Sequence, residues 1–389
     1  MLSSIGTVRK FGFITAVLNM NYMNRKFPHL SVIFGLVLLW TFSAIAQPWQ
    51  SQSVSTPLSN RELVALVYEL PKHPERRDEI VDEIRKRGIG FPLTNGMRSL
   101  VASKSGSDAL LRRTLEEAER RRVNPTASAR PPEAEGNALL ERTRAATLAA
   151  ADAMPDFIVK QLIKRSVAYG STNNWQAQDN LTIAVGYRAN QGEQYKVLAI
   201  NGMPSGPEVK ESRNYSKYVG GASSTGVEYI SALADLFKSE SRTEFKIADT
   251  DLIRGRRTLV YEYEVKKPFS QLTLAAGDAS ANAGSRGRIW IDRETNRVLR
   301  FEQIATEIPG DFPITAASSV IDYDWVTIGE NKYLLPTNSE ILLTNVNRSM
   351  TLQSRNEIRF RGYQKFGAEL KVIDEIDEKD FPPEKPEKP

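Results

Sequence analysis

Gly287-Arg288-Ile289-Trp290-Ile291-Asp292-Arg293-Glu294-Thr295-Asn296-Arg297-Val298-Leu299-Arg300-Phe301 decides the fold. Two short β-prone runs, Arg288 to Asp292 and Arg297 to Phe301, flank the turn formers between Asp292 and Asn296. That order of apolar run, short polar loop and apolar run is a β-hairpin signal. Just upstream, Leu259, Tyr261, Tyr263 and Val265 alternate with Val260, Glu262, Glu264 and Lys266. A period of two puts the first set on one face of a strand and the second, largely polar set on the other.

Working outward, further strands are expected at 319–328, 333–335, 339–345 and 350–363. In the last, Met350, Leu352, Ile358 and Phe360 share a face opposite Arg355, Glu357, Arg359 and Arg361. On the N-terminal side, Leu181 to Tyr187 and Tyr195 to Ile200 read as a strand pair turning near Gln191-Gly192. Asn201-Gly202 supplies the next turn. A helix is expected over 138–165, with a break or new start at Pro155. Another is expected over 226–238, capped by Thr225 and Glu228. These elements define an α+β fold: a curved antiparallel sheet, an incomplete barrel, covered by helices.

The order helix, strand pair, helix, long meander resembles the periplasmic lipoprotein carrier LolA, its partner LolB and the sigma-factor regulator RseB. The residues that carry the resemblance are Arg254-Gly255-Arg256-Arg257-Thr258-Leu259-Val260-Tyr261-Glu262-Tyr263 and the hairpin quoted above. In that family an apolar-Trp-apolar-Asp strand turns through a short polar loop into its neighbour. The resemblance covers roughly 156–372, within a domain drawn at 138–373. It implies a half-barrel whose concave apolar face could hold acyl chains away from water. It further implies that Tyr261, Tyr263, Phe301, Tyr323 and Trp325 line such a site, with Trp290 on the opposite parity from Ile289 and Ile291. Parity alone leaves open whether these aromatics face a ligand or fill the core beneath the helices.

Ahead of this domain lies a helical module, 58–122, with a linker at 123–137. Ser59 and Glu62 form a capping box, and Leu63, Leu66, Val67 and Leu70 follow at helical spacing. A second helix carries Ile80, Val81 and Ile84 and stops at Gly88. A third begins near Ser107. Phe91 and Leu93 are expected to pack under the connection. The linker contains Pro125, Pro131 and Pro132. Behind the sheet, 374–389 is acidic and proline-rich, and is expected to be disordered. The added module and tail set the chain apart from a minimal carrier.

Residues 1–46 hold no acid, and their charges are Arg9, Lys10, Arg25 and Lys26. An apolar run from Leu30 to Phe42 ends in Ser43-Ala44-Ile45-Ala46, so a signal peptide cleaved between Ala46 and Gln47 is expected. Met20 and Met23 lie closer to the apolar run than Met1 does and are alternative starts. A polar lead-in, 47–57, follows. This points to the periplasm or the exterior.

The formal charge is +5, and removing the four leader charges leaves +1, so the basic pI is poor support for nucleic-acid binding. There is no cysteine, which excludes disulfides, thiol catalysis, thiolate metal sites and a lipid-modified N-terminal cysteine. The two histidines are His29, in the leader, and His73, in a Pro-Lys-His-Pro turn, too few for zinc-hydrolase motifs. No cofactor motif is present. Three function classes remain. The first is a non-catalytic binder of a lipid, acyl chain or lipoprotein. The second is an envelope interaction module, with a protein partner for the helical part. The third is a hydrolase using the alternating acids Asp322 and Asp324, or Glu262 and Glu264.

Overall fold

The computed structural model describes residues 56–126, 128–170, 172–188, 192–206, 228–276, 279–347, 350–365, 376–377 and 380–381. The leader, Ala46, Gln47, most of the lead-in, Thr225 and 382–389 lie outside them. Among the described residues, no helix is long and apolar enough to cross a membrane.

The helical module begins as its caps dictate. Helix α1 (Asn60–Glu69) starts at Ser59, whose amide donates to the Glu62 carboxylate at 2.8 Å while its hydroxyl accepts from the Glu62 amide. Helix α2 (Arg77–Arg87) buries Ile80, Val81 and Ile84 and ends at Gly88, whose φ of 69° suits a residue without Cβ. Helix α3 (Asn95–Lys104) was not anticipated. It is capped by Thr94 but buries only Met97 and Val101, too sparse a stripe to read in the sequence. Helix α4 (Ala109–Val123) is capped by Asp108, which accepts from Leu111 N at 2.7 Å. Leu93 is buried among these helices, and Phe91 packs at the edge of the same cluster.

Helix α5 (Glu133–Asp152) starts inside the expected linker and ends well before residue 165. The second half of the expected helix is a strand, β1 (Phe157–Tyr169). Pro155 ends the helical stretch. β1 hides its period of two because both faces are buried: Phe157 and Val159 join one core cluster and Ile158 another. The remaining strands of the main sheet are β2 (Gln176–Arg188), β3 (Gly192–Ile200), β4 (Met203–Pro204), β5 (Glu244–Ile253), β6 (Arg256–Val265), β9 (Gly284–Asp292), β10 (Arg297–Thr306), β11 (Ile314–Ile328), β12 (Asn331–Asn347) and β13 (Met350–Lys365). β7 (Thr273–Ala276) and β8 (Ala279–Asn282) form a separate ribbon. Helix α6 (Ile230–Phe237) is shorter than expected and has Tyr229 at its N-cap.

The eleven strands run β4-β3-β2-β1-β13-β12-β11-β10-β9-β6-β5, each antiparallel to its neighbours, and the sheet does not close. This is the expected α+β architecture. The hairpin β9–β10 pairs Asp292 with Arg297 and Ile289 with Phe301. Asp292 fixes its turn by accepting from Glu294 N and Thr295 Oγ1, at 3.1 and 2.7 Å. β12 runs through Pro336, merging two expected strands. A register shift between Asp322 and Tyr323 lies opposite it.

Helices α5 and α6 cover one face of the sheet. Leu139, Leu140, Leu233, Leu236 and Phe237 pack there on β6, β9, β10 and β11. The other face carries Ile253, Val260, Trp290 and Leu299. Helices α2 and α4 contact that second side through charge. Arg85 and Arg113 reach Glu302, Arg121 reaches Asp249, and Arg120 reaches Asp251. The module has its own apolar core, and among the described residues no cluster of buried apolar residues joins it to the sheet.

Of the tail, residues 376–377 and 380–381 are described. Ile376 and Phe381 are buried against Ile158, Ala184 and Leu198. Gln364 Nε2 donates to Asp380 O and Lys196 Nζ to Ile376 O, at 2.7 and 2.8 Å. Two apolar residues among acids and prolines give no period to read, yet each finds an apolar patch on β1–β3.

Candidate functional site

The six aromatics singled out from the sequence do not share one site. Tyr261, Tyr263, Phe301 and Tyr323 are buried together under α5 and α6. The rings of Tyr263 and Phe301 lie 5.7 Å apart. Tyr261 Oη donates to Gly136 O at 2.7 Å and Tyr263 Oη to Glu302 O at 3.1 Å. Burial raises the phenol pKa values of Tyr261, Tyr263 and Tyr323 above the usual range, so all three stay neutral, and the buried Tyr323 Oη has no hydrogen-bond partner among the described residues. Trp290 stands on the opposite face, fully buried, with Nε1 donating to Asp251 Oδ2 at 2.9 Å. Trp325 is half-exposed.

Tyr323 and Trp325 meet at a pocket of about 240 Å³ between α5, α6 and strands β10–β12. Its apolar wall includes Met154, Leu233, Val298 and Leu334. Two charged residues line it, Arg297 and Lys332. The volume lies just below the range of drug-sized ligand pockets. Sequence reasoning found the two aromatics but missed the helical wall. Met154 sits just before the break expected at Pro155, and Leu233 reads as ordinary core of an amphipathic helix.

A second, larger space lies on the other side of the sheet. There the helical module and strands β10–β13 enclose a cleft of about 600 Å³, lined by Arg77, Asp108, Trp175, Glu340 and Arg355 among others. The Arg355 guanidinium stacks 4.6 Å from the Trp175 ring. Burial raises the Glu340 pKa against the opposing pull of Arg113. This cleft mixes charged and polar side chains with apolar ones such as Leu70, Ile304, Leu342 and Leu343.

The paired carboxylates weighed for hydrolysis are all engaged by cations. Asp322 accepts from Arg300 at 2.7 Å, Asp324 lies 3.3 Å from Arg254, Glu262 2.6 Å from Arg288, and Glu264 2.5 Å from Lys266. His73 is an exposed turn residue 3.0 Å from Glu75.

No family model and no curated protein matches the chain. Among solved structures it is similar to a DUF1329 family protein from Desulfovibrio piger, at 10% identity and TM-score 0.30, over 60% of this chain and 93% of that one. It is also similar to a LolA superfamily protein from Nitrosomonas europaea, at 11% identity and TM-score 0.30, over 58% and 94%. The MucA/MucB complex of Pseudomonas aeruginosa matches at 9% identity and TM-score 0.15, over 57% and 94%. These likenesses extend over up to about 60% of this chain.

Proposed function

We propose that this protein is an exported, non-catalytic binding protein of the cell envelope that holds an alkyl or acyl chain in the pocket between α5, α6 and β10–β12. The observation that carries this reading is the placement of the pocket. It lies on the helix-covered face of an open sheet, with Met154, Leu233, Val298, Tyr323, Trp325 and Leu334 around it. An apolar chain in such a space gains by leaving water. The volume is on the order of eight water molecules, room for one chain rather than two. Export rests on the acid-free leader and its Ala44-Ile45-Ala46 ending. The engaged state of Asp322, Asp324, Glu262 and Glu264 favours binding over hydrolysis.

Trp325 is a built-in reporter. Titration of the full-length protein with 10-bromodecanol or 10-bromodecanoate is expected to quench tryptophan fluorescence. Trp325→Phe removes most of that change, and Ala150→Phe, which fills the pocket from α5, abolishes binding. Absence of quenching by both compounds would sink the reading.

A further inference from the structure

The charges at the pocket carry one step more, and this step rests on the reading just given. The described acidic and basic side chains of this protein are mostly paired with one another. Arg85, Arg113, Arg120, Arg121, Arg165, Arg254, Arg256, Arg288, Arg293 and Arg300 all have carboxylates within ion-pair distance. Others, such as Arg142, Arg242, Arg257 and Arg355, have no carboxylate within ion-pair distance among the described residues. Arg297 and Lys332 have none either, and they are the two that line the apolar pocket.

Arg297 is half-buried, and one of its terminal nitrogens donates to Ala146 O of α5. Burial alone lowers its pKa, with no neighbouring acid to raise it. That interaction holds the guanidinium against the helix but does not neutralise its charge. Lys332 is exposed at the β11–β12 turn and free to swing across the opening. Trp325 and Leu334 flank Lys332 on the two strands of that hairpin.

We infer that the pocket takes a single-chain amphiphile with a carboxylate head, a fatty acid, whose tail lies among Met154, Leu233 and Val298 and whose head is held by Arg297 and Lys332. The two parts of the ligand match two parts of the site. An apolar wall under the helices takes the tail, and two cations with no carboxylate within ion-pair distance among the described residues take the head. A neutral apolar guest would gain from the wall but leave both charges as they stand. A carboxylate supplies the counter-charge that the fold leaves out.

The test compares two ten-carbon ligands on the full-length protein at pH 8 and low salt, read by Trp325 fluorescence or calorimetry. Decanoate is expected to bind about tenfold tighter than 1-decanol, and the advantage is expected to shrink in high salt. Lys332→Gln, at an exposed position, is expected to reduce the decanoate-to-decanol affinity ratio several-fold. Arg297→Gln is expected to do the same, with its melting temperature measured alongside because it also loses the bond to α5. Equal affinity for the two ligands would overturn the carboxylate inference while leaving the apolar pocket standing. Binding of neither would overturn both. A decanoate preference that survives in both variants would overturn the assignment of these two cations.

Discussion

The Arg85 guanidinium of α2 donates to the Glu302 carboxylate of β10 at 2.9 Å, across 217 positions of sequence. Both side chains are at least nine-tenths buried. Burial would raise the Glu302 pKa, but Arg85, Arg113 and Arg300 outweigh it and hold the carboxyl below the ordinary range. This pair lies where the helical module meets the sheet, in an interface that no apolar cluster bridges. Removing Arg85 takes the closest counter-ion from buried Glu302 and leaves only Arg113, 3.6 Å away, and the more distant Arg300. Arg85→Ala is therefore expected to destabilise the protein by about 3–5 kcal/mol. The pair Arg85→Met with Glu302→Leu is expected to be far milder than either loss alone, because both desolvation costs go together. Urea denaturation of the parent and the two variants measures this. Equal effects of Arg85→Ala and the double replacement would contradict it.

Glu117 of α4 sits in the same interface and behaves in the opposite way. Burial first, then Asp251, raises its pKa to about 7, against the pull of Arg85. A carboxyl raised in the folded state keeps a proton that the unfolded chain releases near pH 4.5. Its stabilising contribution is therefore complete below pH 4.5 and is lost as pH rises toward and through 7. The facing charges are Arg85 from α2, Asp251 from β5, Arg288 from β9 and Glu302 from β10. Glu117→Gln keeps the neutral shape at all pH values. The variant is expected to match the parent at pH 5 and to exceed it at pH 8, by up to about 3 kcal/mol. Denaturation curves at the two pH values check this. A difference that does not change with pH would refute it.

The sheet was legible because its strands announce themselves where one face is wet. Leu259 to Val265 alternates with exposed Glu262 and appears as read, while the 287–301 hairpin, buried on both faces at Ile289, Trp290 and Ile291, was legible from its Asp292–Asn296 turn. Reading failed at one strand with both faces dry and at one helix where capping does the work of periodicity. β1, buried on both sides, reads as a helix, and α3 is written in the Thr94 cap more than in its stripe. The site divides in the same way. Tyr323 and Trp325 were visible as aromatics, but the pocket depends on which face α5 and α6 cover, and parity cannot supply that. The docking of the module was hidden for a further reason. Its contacts are charges on α2 and α4, and a charge run looks the same in sequence whether it meets water or a partner carboxylate.

The close approach of α5 to β5 offers a test of packing on the helix-covered face. A Cβ at Gly136 would stand 2.2 Å from Ile247 Cδ1 and 3.1 Å from Ile247 Cγ1. The nearness brings Gly136 O to the Tyr261 hydroxyl, so the glycine sets the depth at which the helix sits. Gly136 is helical, and by propensity alone alanine there would gain about 1 kcal/mol. The clash works against it, and forcing extra carbon into a packed site costs about 1–3 kcal/mol. Gly136→Ala is therefore expected to be neutral or destabilising. Ile247→Val deletes the one atom that meets the new Cβ most closely, at a usual cost of about 0.5–1.5 kcal/mol by itself. Combined, the two substitutions are expected to be more stable than the sum of their separate effects, with a favourable coupling on the order of 1 kcal/mol. Thermal or urea melts of the four proteins in this cycle give the coupling directly. A value within error of zero would show that α5 moves aside for the methyl group and that Gly136 does not set its depth.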